Sequence, residues 1–233
     1  MRRLALPLLT ASLAACGAGR VPPLVPISAA AAPPEQVRAW VRPDALPGRT
    51  LVRFRWSYKN EKGSAGGRGT ARIASADTVR LDTAGPLGSG AASAMVVGDS
   101  TYWVQPADAI ERLVPNFPLM WAMFGLARLP AADAVVEGVS DSAATAWRYR
   151  MGSDTLEYRR TPTLLQSVFR SKGKVIGTAE TSFGPDGALL KARLVVPQAP
   201  ARLDLTFTRV TRNAQFEPDV WTPRAPDSAA VDR

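Results

Sequence analysis

Histidine is absent from all 233 residues, and cysteine occurs once, as Cys16. Without histidine there is no Ser-His-Asp or Cys-His arrangement to activate a nucleophile, and the usual zinc and haem sites lose their commonest ligand. The carboxylates do not fill that gap. Asp77, Asp82, Asp99, Glu157, Glu180 and Asp186 fall at strand ends, in turns or at alternate outward positions, and no two are set up for general acid–base work. The glycine-rich stretch Gly85–Gly90 lacks the lysine and the strand-to-helix setting of a phosphate loop. The expectation is a protein that is not an enzyme and that uses no metal and no cofactor.

Dense Lys/Arg runs are also missing, although the net charge is +9. The basic residues instead alternate along strand-like stretches, as at Arg53, Arg55, Arg68, Arg72 and Arg80. That spacing reads as the solvated outer faces of strands. The competing reading is attraction to anionic lipid headgroups; nucleic acid is not an expected partner.

The N-terminus is a processing and anchoring region. Met1-Arg2-Arg3 is basic, Leu4–Leu13 is a short apolar stretch, and small residues follow, the pattern of a secretory signal. Leu13-Ala14-Ala15-Cys16 resembles the lipobox of bacterial lipoproteins. That resemblance implies cleavage before Cys16, acyl chains on Cys16, and a lipid-anchored mature protein; several chains on one residue hold far more firmly than one. By the sorting rule of enterobacterial lipoproteins, Gly17 then points to the outer membrane. Residues 1–15 are thus the signal, and 16–34, rich in Pro and Ala, read as a semi-extended tether. Glu35–Val41 suits a short helix whose Trp40 and Val41 dock on a domain spanning 35–223, and 224–233 reads as a disordered tail.

The domain is mostly strand by pattern. Leu51–Tyr58 alternates apolar and basic residues with period two, and the same reading holds for Arg68–Ala74, Asp77–Thr83, Ala91–Val97 and Ser100–Gln105. Asn60–Gly67 reads as the first turn. After residue 130, strands are expected near Ala134–Val139, Ala144–Met151, Thr155–Arg160, Leu164–Arg170, Lys174–Phe183, Leu189–Val195 and Arg202–Thr211. Gly98-Asp99, Gly152-Ser153-Asp154, Lys172-Gly173 and Pro185-Asp186-Gly187 supply the turns. A sheet of roughly eleven or twelve strands must curl or split.

One stretch breaks the pattern. Asp108 can cap a short helix over Ala109–Val114, and Asn116 a second one ending near Arg128. From Phe117 to Leu129 only Arg128 is charged, so this helix is apolar nearly all round and must be buried. It is too short to span a bilayer, which takes roughly 20 residues. Phe117, Met120, Trp121, Met123 and Phe124 make a soft surface suited to varied acyl chains. Phe54, Trp56, Met95, Val97, Trp103 and Val104 are expected to line the same space. Two readings stand: a movable lid over an apolar cavity, or the fixed plug of a closed barrel.

The order of elements is itself distinctive. Asp77-Thr-Val-Arg80-Leu81-Asp82, Gly85-Pro86-Leu87-Gly88 and Val97-Gly98-Asp99-Ser100-Thr-Tyr102-Trp103 precede the apolar insert, and Thr211-Arg-Asn213-Ala-Gln-Phe216-Glu-Pro218 closes the domain. This order resembles the outer-membrane lipoprotein carrier and receptor family of the LolA/LolB type. The resemblance implies a mainly β fold with some α: a curled antiparallel sheet, a half-open barrel of about eleven strands, covered by an inserted apolar helix. It implies binding of the acyl chains of lipoproteins or lipids on the periplasmic face of the outer membrane, with a periplasmic carrier protein as a partner. The receptor's membrane-inserting loop has its nearest candidate at Leu87. A structural or stress-sensing lipoprotein with a closed barrel and a protein partner is the alternative. The anchor is directly testable: Cys16→Ser is expected to abolish incorporation of radiolabelled palmitate and leave the signal uncleaved, whereas normal labelling would refute it.

Overall fold

The computed structural model describes residues 21–41, 46, 48–75, 77–86, 90–105 and 117–223. The Cys16 anchor, the Leu87 corner, the Asp108-capped helix, the Asn116 cap and the tail all lie outside these residues. The strands are β1 (Ala30–Ala31), β2 (Thr50–Asn60), β3 (Gly63–Ser75), β4 (Thr78–Ala84), β5 (Ala92–Val97), β6 (Ser100–Gln105), β7 (Val135–Ser140), β8 (Thr145–Met151), β9 (Asp154–Thr161), β10 (Leu164–Ser171), β11 (Lys174–Phe183), β12 (Leu189–Val196) and β13 (Ala201–Arg212). The helices are α1 (Pro34–Val41) and α2 (Phe117–Met123). All twelve runs expected from the sequence are strands; the thirteenth is the two-residue β1.

The thirteen strands form one antiparallel sheet in the order β1-β7-β8-β9-β10-β11-β12-β13-β2-β3-β4-β5-β6. The last strand pairs with β2, which joins the two halves of the chain side by side. Strands β1 and β6 sit at opposite ends of that order, so the sheet curls without closing. Register shifts at Phe169/Arg170, Ser182/Phe183 and Phe207/Arg209 mark bulges, which sharpen twist and bend the strands. Val52, Phe54, Ala71, Ile73, Val79 and Val96 face one side and join one apolar cluster with α1 and α2. That side is the concave one.

Three sequence expectations change. First, the turn after β2 is only Glu61-Lys62, and Ser64–Gly67 are strand. The glycines there are not a loop signal but a matter of space: a Cβ on Gly67 would lie 1.9 Å from the Ala84 carbonyl oxygen, and one on Gly69 would strike the Phe54 ring. Second, the tether does not hang free from residue 21 onward. The Leu24 N–H donates to Glu157 at 2.7 Å, Arg170 donates to the carbonyls of Val21 and Pro22, and Val25 is 1% exposed. Third, Arg72 and Arg80 are not solvated. Both bind Asp82, at 2.6 and 2.9 Å, and Arg80 donates to the carbonyls of Val220 and Thr222. Glu157 and Asp82 are thus buried on the outer face at the places where the N-terminal and C-terminal segments cross it. A buried carboxylate needs such partners to remain charged.

The inserted helix is also shorter than expected. It ends at Met123, and Gly125 takes a left-handed φ of 76°. The N–H of Leu126 reaches the Trp121 carbonyl at 3.1 Å and that of Gly125 reaches Ala122 at 2.9 Å, the two bonds of a Schellman cap. Residues 126–130 then belong to no helix or strand. A Cβ on Gly125 would also meet the Phe183 ring at 2.8 Å. Gly125→Ala is expected to cost about 2 kcal/mol and to lower Tm in a thermal melt; an unchanged Tm would contradict this account of the cap.

Candidate functional site

The site is the concave face of the sheet with α2 seated on it. Leu119, Met120, Trp121, Ala122 and Met123 are all buried, as are Phe124, Leu126 and Ala127 after the turn. The helix rests on β10, β11 and β12. Thr181 on β11 donates its hydroxyl to the Ala122 carbonyl at 2.7 Å. On the opposite flank the Trp121 indole N–H donates to the Gly98 carbonyl, in the β5–β6 turn, at 2.8 Å. The helix therefore ties the middle of the sheet, at β11, to the β5–β6 turn near its far edge.

Beneath this bridge, three phenylalanines meet from three elements. Phe54 of β2, Phe207 of β13 and Phe124 after α2 lie with ring centroids 6.1 to 6.4 Å apart. Edge-on contacts at such distances add to area burial. Met120 and Met123 complete a lining of hydrocarbon, aromatic ring and thioether.

The segment after the helix is fixed by a second aromatic group. The Arg128 N–H donates to the Tyr158 hydroxyl at 3.2 Å, and the Tyr149 hydroxyl donates to the Arg128 carbonyl at 2.9 Å. The Trp147 indole N–H donates in turn to Tyr149 at 2.9 Å, and the Trp147 ring stacks on Tyr158 with centroids 5.2 Å apart. Burial pushes both phenols well above their ordinary range, so both stay protonated and available as hydrogen-bonding groups. The Arg128 guanidinium lies 5.1 Å over the Trp121 ring and 3.6 Å from Asp99. Arg128 is thereby tied through both its backbone and its side chain, while the turn at Gly125 separates it from α2.

The residues expected in the site divide. Met120, Trp121, Met123, Phe124 and Phe54 come together in the buried cluster; Phe117 and Trp56 are half-buried and pack against it. Met95 and Trp103 do not join them. They pair across β5 and β6, in register with Arg80, whose guanidinium stands 5.3 Å over the Trp103 ring on the outer face. Their neighbours Ala94 and Val96 are the buried, inward-facing ones. A strand read one residue out of phase puts every side chain on the wrong face, and Met95 and Val97 were read so. Val104, opposite Ala94, does face inward. Cys16 lies outside the described residues. The sequence reading missed Tyr149, Tyr158, Thr181 and Phe207, because they lie far from the apolar insert in the chain and carry no local motif.

No protein-family model and no curated protein matches the chain. Solved structures similar to it include a LolA-superfamily protein and a lipoprotein-sorting protein domain. The LolA superfamily protein NE2245 from Nitrosomonas europaea is 9% identical over 83% of this chain and 99% of its own, with a TM-score of 0.43. A putative outer membrane lipoprotein-sorting protein domain from Vibrio parahaemolyticus is 11% identical over 80% of this chain and 94% of its own, at 0.37. MucB in complex with MucA(peri) is 13% identical over 83% of this chain and 61% of its own, at 0.34. These similarities are distant, and what the site does follows from its own residues.

Proposed function

We propose that this chain is a lipid-anchored, non-enzymatic protein of the periplasmic face of the outer membrane that binds acyl chains of lipoproteins or lipids under α2. The observation that carries the reading is the seating of α2. A seven-residue helix is marginal alone, and this one is buried on the concave face of an unclosed sheet, next to a left-handed glycine and ahead of a segment tied at Arg128. In this reading α2 occupies the acyl site in the unliganded state. Cargo enters when α2 swings about Gly125, and the Phe54–Phe124–Phe207 group exchanges packing against the helix for packing against methylenes.

The magnitudes set a chain length. Uncovering Leu119, Met120, Trp121 and Met123 costs about 2 kcal/mol each, and each buried methylene returns about 0.8 kcal/mol. An acyl chain therefore needs about ten carbons before exchange is favourable. The competing reading, a closed barrel with a protein partner, draws on the same complete burial of Trp121 and Leu119.

A reversible lock separates the two. A cysteine pair replacing Ala122 and Thr181, already in contact, fixes α2 to β11 when oxidised. Fluorescent fatty-acid displacement is expected to show binding of a sixteen-carbon acid and not an eight-carbon acid in the reduced protein, and none once oxidised. Absence of binding in both states supports the closed plug. Equal binding in both states places any acyl site elsewhere.

A further inference from the structure

The two ends of the curled sheet differ in charge. The β2–β3, β8–β9, β10–β11 and β12–β13 turns lie at one end, as the strand registers require. The Gln198 amide, in the β12–β13 turn, donates to the Val175 carbonyl beside the β10–β11 turn, which confirms that these neighbours share an end. The chain has five lysines, and four of them, Lys59, Lys62, Lys172 and Lys174, stand at that end. Lys62, Lys172 and Lys174 are exposed, and among the described residues no carboxylate pairs with any of the four. Glu61 and Asp154 are acids of the same end; Asp154 accepts from the Ser153 and Ser171 hydroxyls. The turns of the opposite end carry aspartates instead: Asp77, Asp99, Asp141 and Asp186.

The N-terminal segment reaches the sheet from the lysine end. Val21 and Pro22 are held by Arg170, one residue from the Lys172-Gly173 turn. Leu24 is held by Glu157, which lies two residues further along β9 than Thr155, the partner of Arg170. From Val21 to Leu24 the chain therefore runs inward from that end. Four residues separate Cys16 from Val21, and the five steps between them span at most about 17 Å.

We propose that the lysine end is a membrane-facing surface for anionic phospholipid headgroups, so that the barrel stands end-on with the α2 turn at Gly125, beside Phe183, directed away from the bilayer. The orientation rests on the Cys16 anchor; the headgroup contact does not. Strongly hydrated ammonium groups at turns and strand ends suit a diffuse anionic surface, and each lysine near one contributes about a fivefold gain in partitioning that salt screens. The two observations, chain path and lysine placement, are independent and select the same end.

The test has two arms. In the first, the chain beginning at position 16 with Cys16→Ser, which keeps every described element, is sedimented with phosphatidylglycerol-containing vesicles and with phosphatidylcholine vesicles. Preference for the anionic vesicles is expected, falling about fivefold for each of Lys59, Lys62, Lys172 and Lys174 changed to Gln, and unchanged by Lys191→Gln on the body of the sheet. No preference, or a preference that survives the fourfold variant, overturns the headgroup surface. In the second arm the acylated full chain is reconstituted in the same vesicles with a fluorophore at Ser153→Cys or at Ala143→Cys. Stronger quenching by headgroup-labelled lipid at 153 is expected; stronger quenching at 143 overturns the end-on orientation. Acyl labelling of Cys16 in that preparation scores the anchor separately, so its failure leaves the first arm decisive.

Discussion

A helix of seven residues with no polar side chain gains its stability from what covers it. For α2 that cover is the concave face of the sheet, and the dependence is mutual. Without α2, the inner faces of β10 to β12 and the Phe54–Phe207 contact would stand open to water on the concave side of the sheet. Burying apolar side chains such as Leu119, Met120 and Met123 is worth about 2 kcal/mol apiece. A sheet that pairs its first long strand with its last, and still does not close, fills its concave face with this apolar seam of helix against strand.

The polar ties around the seam divide the region into fixed and releasable parts. Residues 126–130 are held through backbone groups by two buried tyrosines, whose own positions are set by Trp147. The helix is held by a threonine hydroxyl and one indole N–H, each worth about 1 kcal/mol net. On the far side of the sheet the terminal segments are clasped by buried charge, Glu157 with Arg170 under the N-terminal one and Arg80 with Asp82 under the C-terminal one. Removing a partner from such a site leaves an uncompensated buried charge. The outer face is therefore clasped by buried charge, whereas α2 on the concave side is held by two neutral hydrogen bonds and apolar packing.

Much of this architecture was legible in the chain. Period-two alternation located every long strand, because one buried face forces that spacing. The greasy insert declared itself by having no polar face. What escaped had a physical reason in each case. Gly66, Gly67 and Gly69 mimic a loop because they make room for Phe54 and for the corner at Ala84. The early end of α2 was signalled by Gly125, but an apolar run continuing to Leu129 masked it. Met95 and Trp103 were assigned to the core from hydrophobicity, whereas a cation over the Trp103 ring accounts for an aromatic residue on the outer face. The burial of Arg80 and Asp82 depends on residues 140 positions away, and the cradle around Arg128 on two tyrosines more than 20 positions away. No local pattern encodes such contacts.

The central claim is that α2 and an acyl chain compete for one surface. The most direct measurement is a crystal structure of the protein soaked with a sixteen-carbon fatty acid brominated along its chain, with bromine located by anomalous scattering. The account predicts bromine peaks among Phe54, Phe124 and Phe207, with α2 displaced about Gly125 and residues 126–130 unmoved. Bromine found only on the outer face, or α2 in place over an unoccupied phenylalanine cluster at saturating ligand, would contradict it.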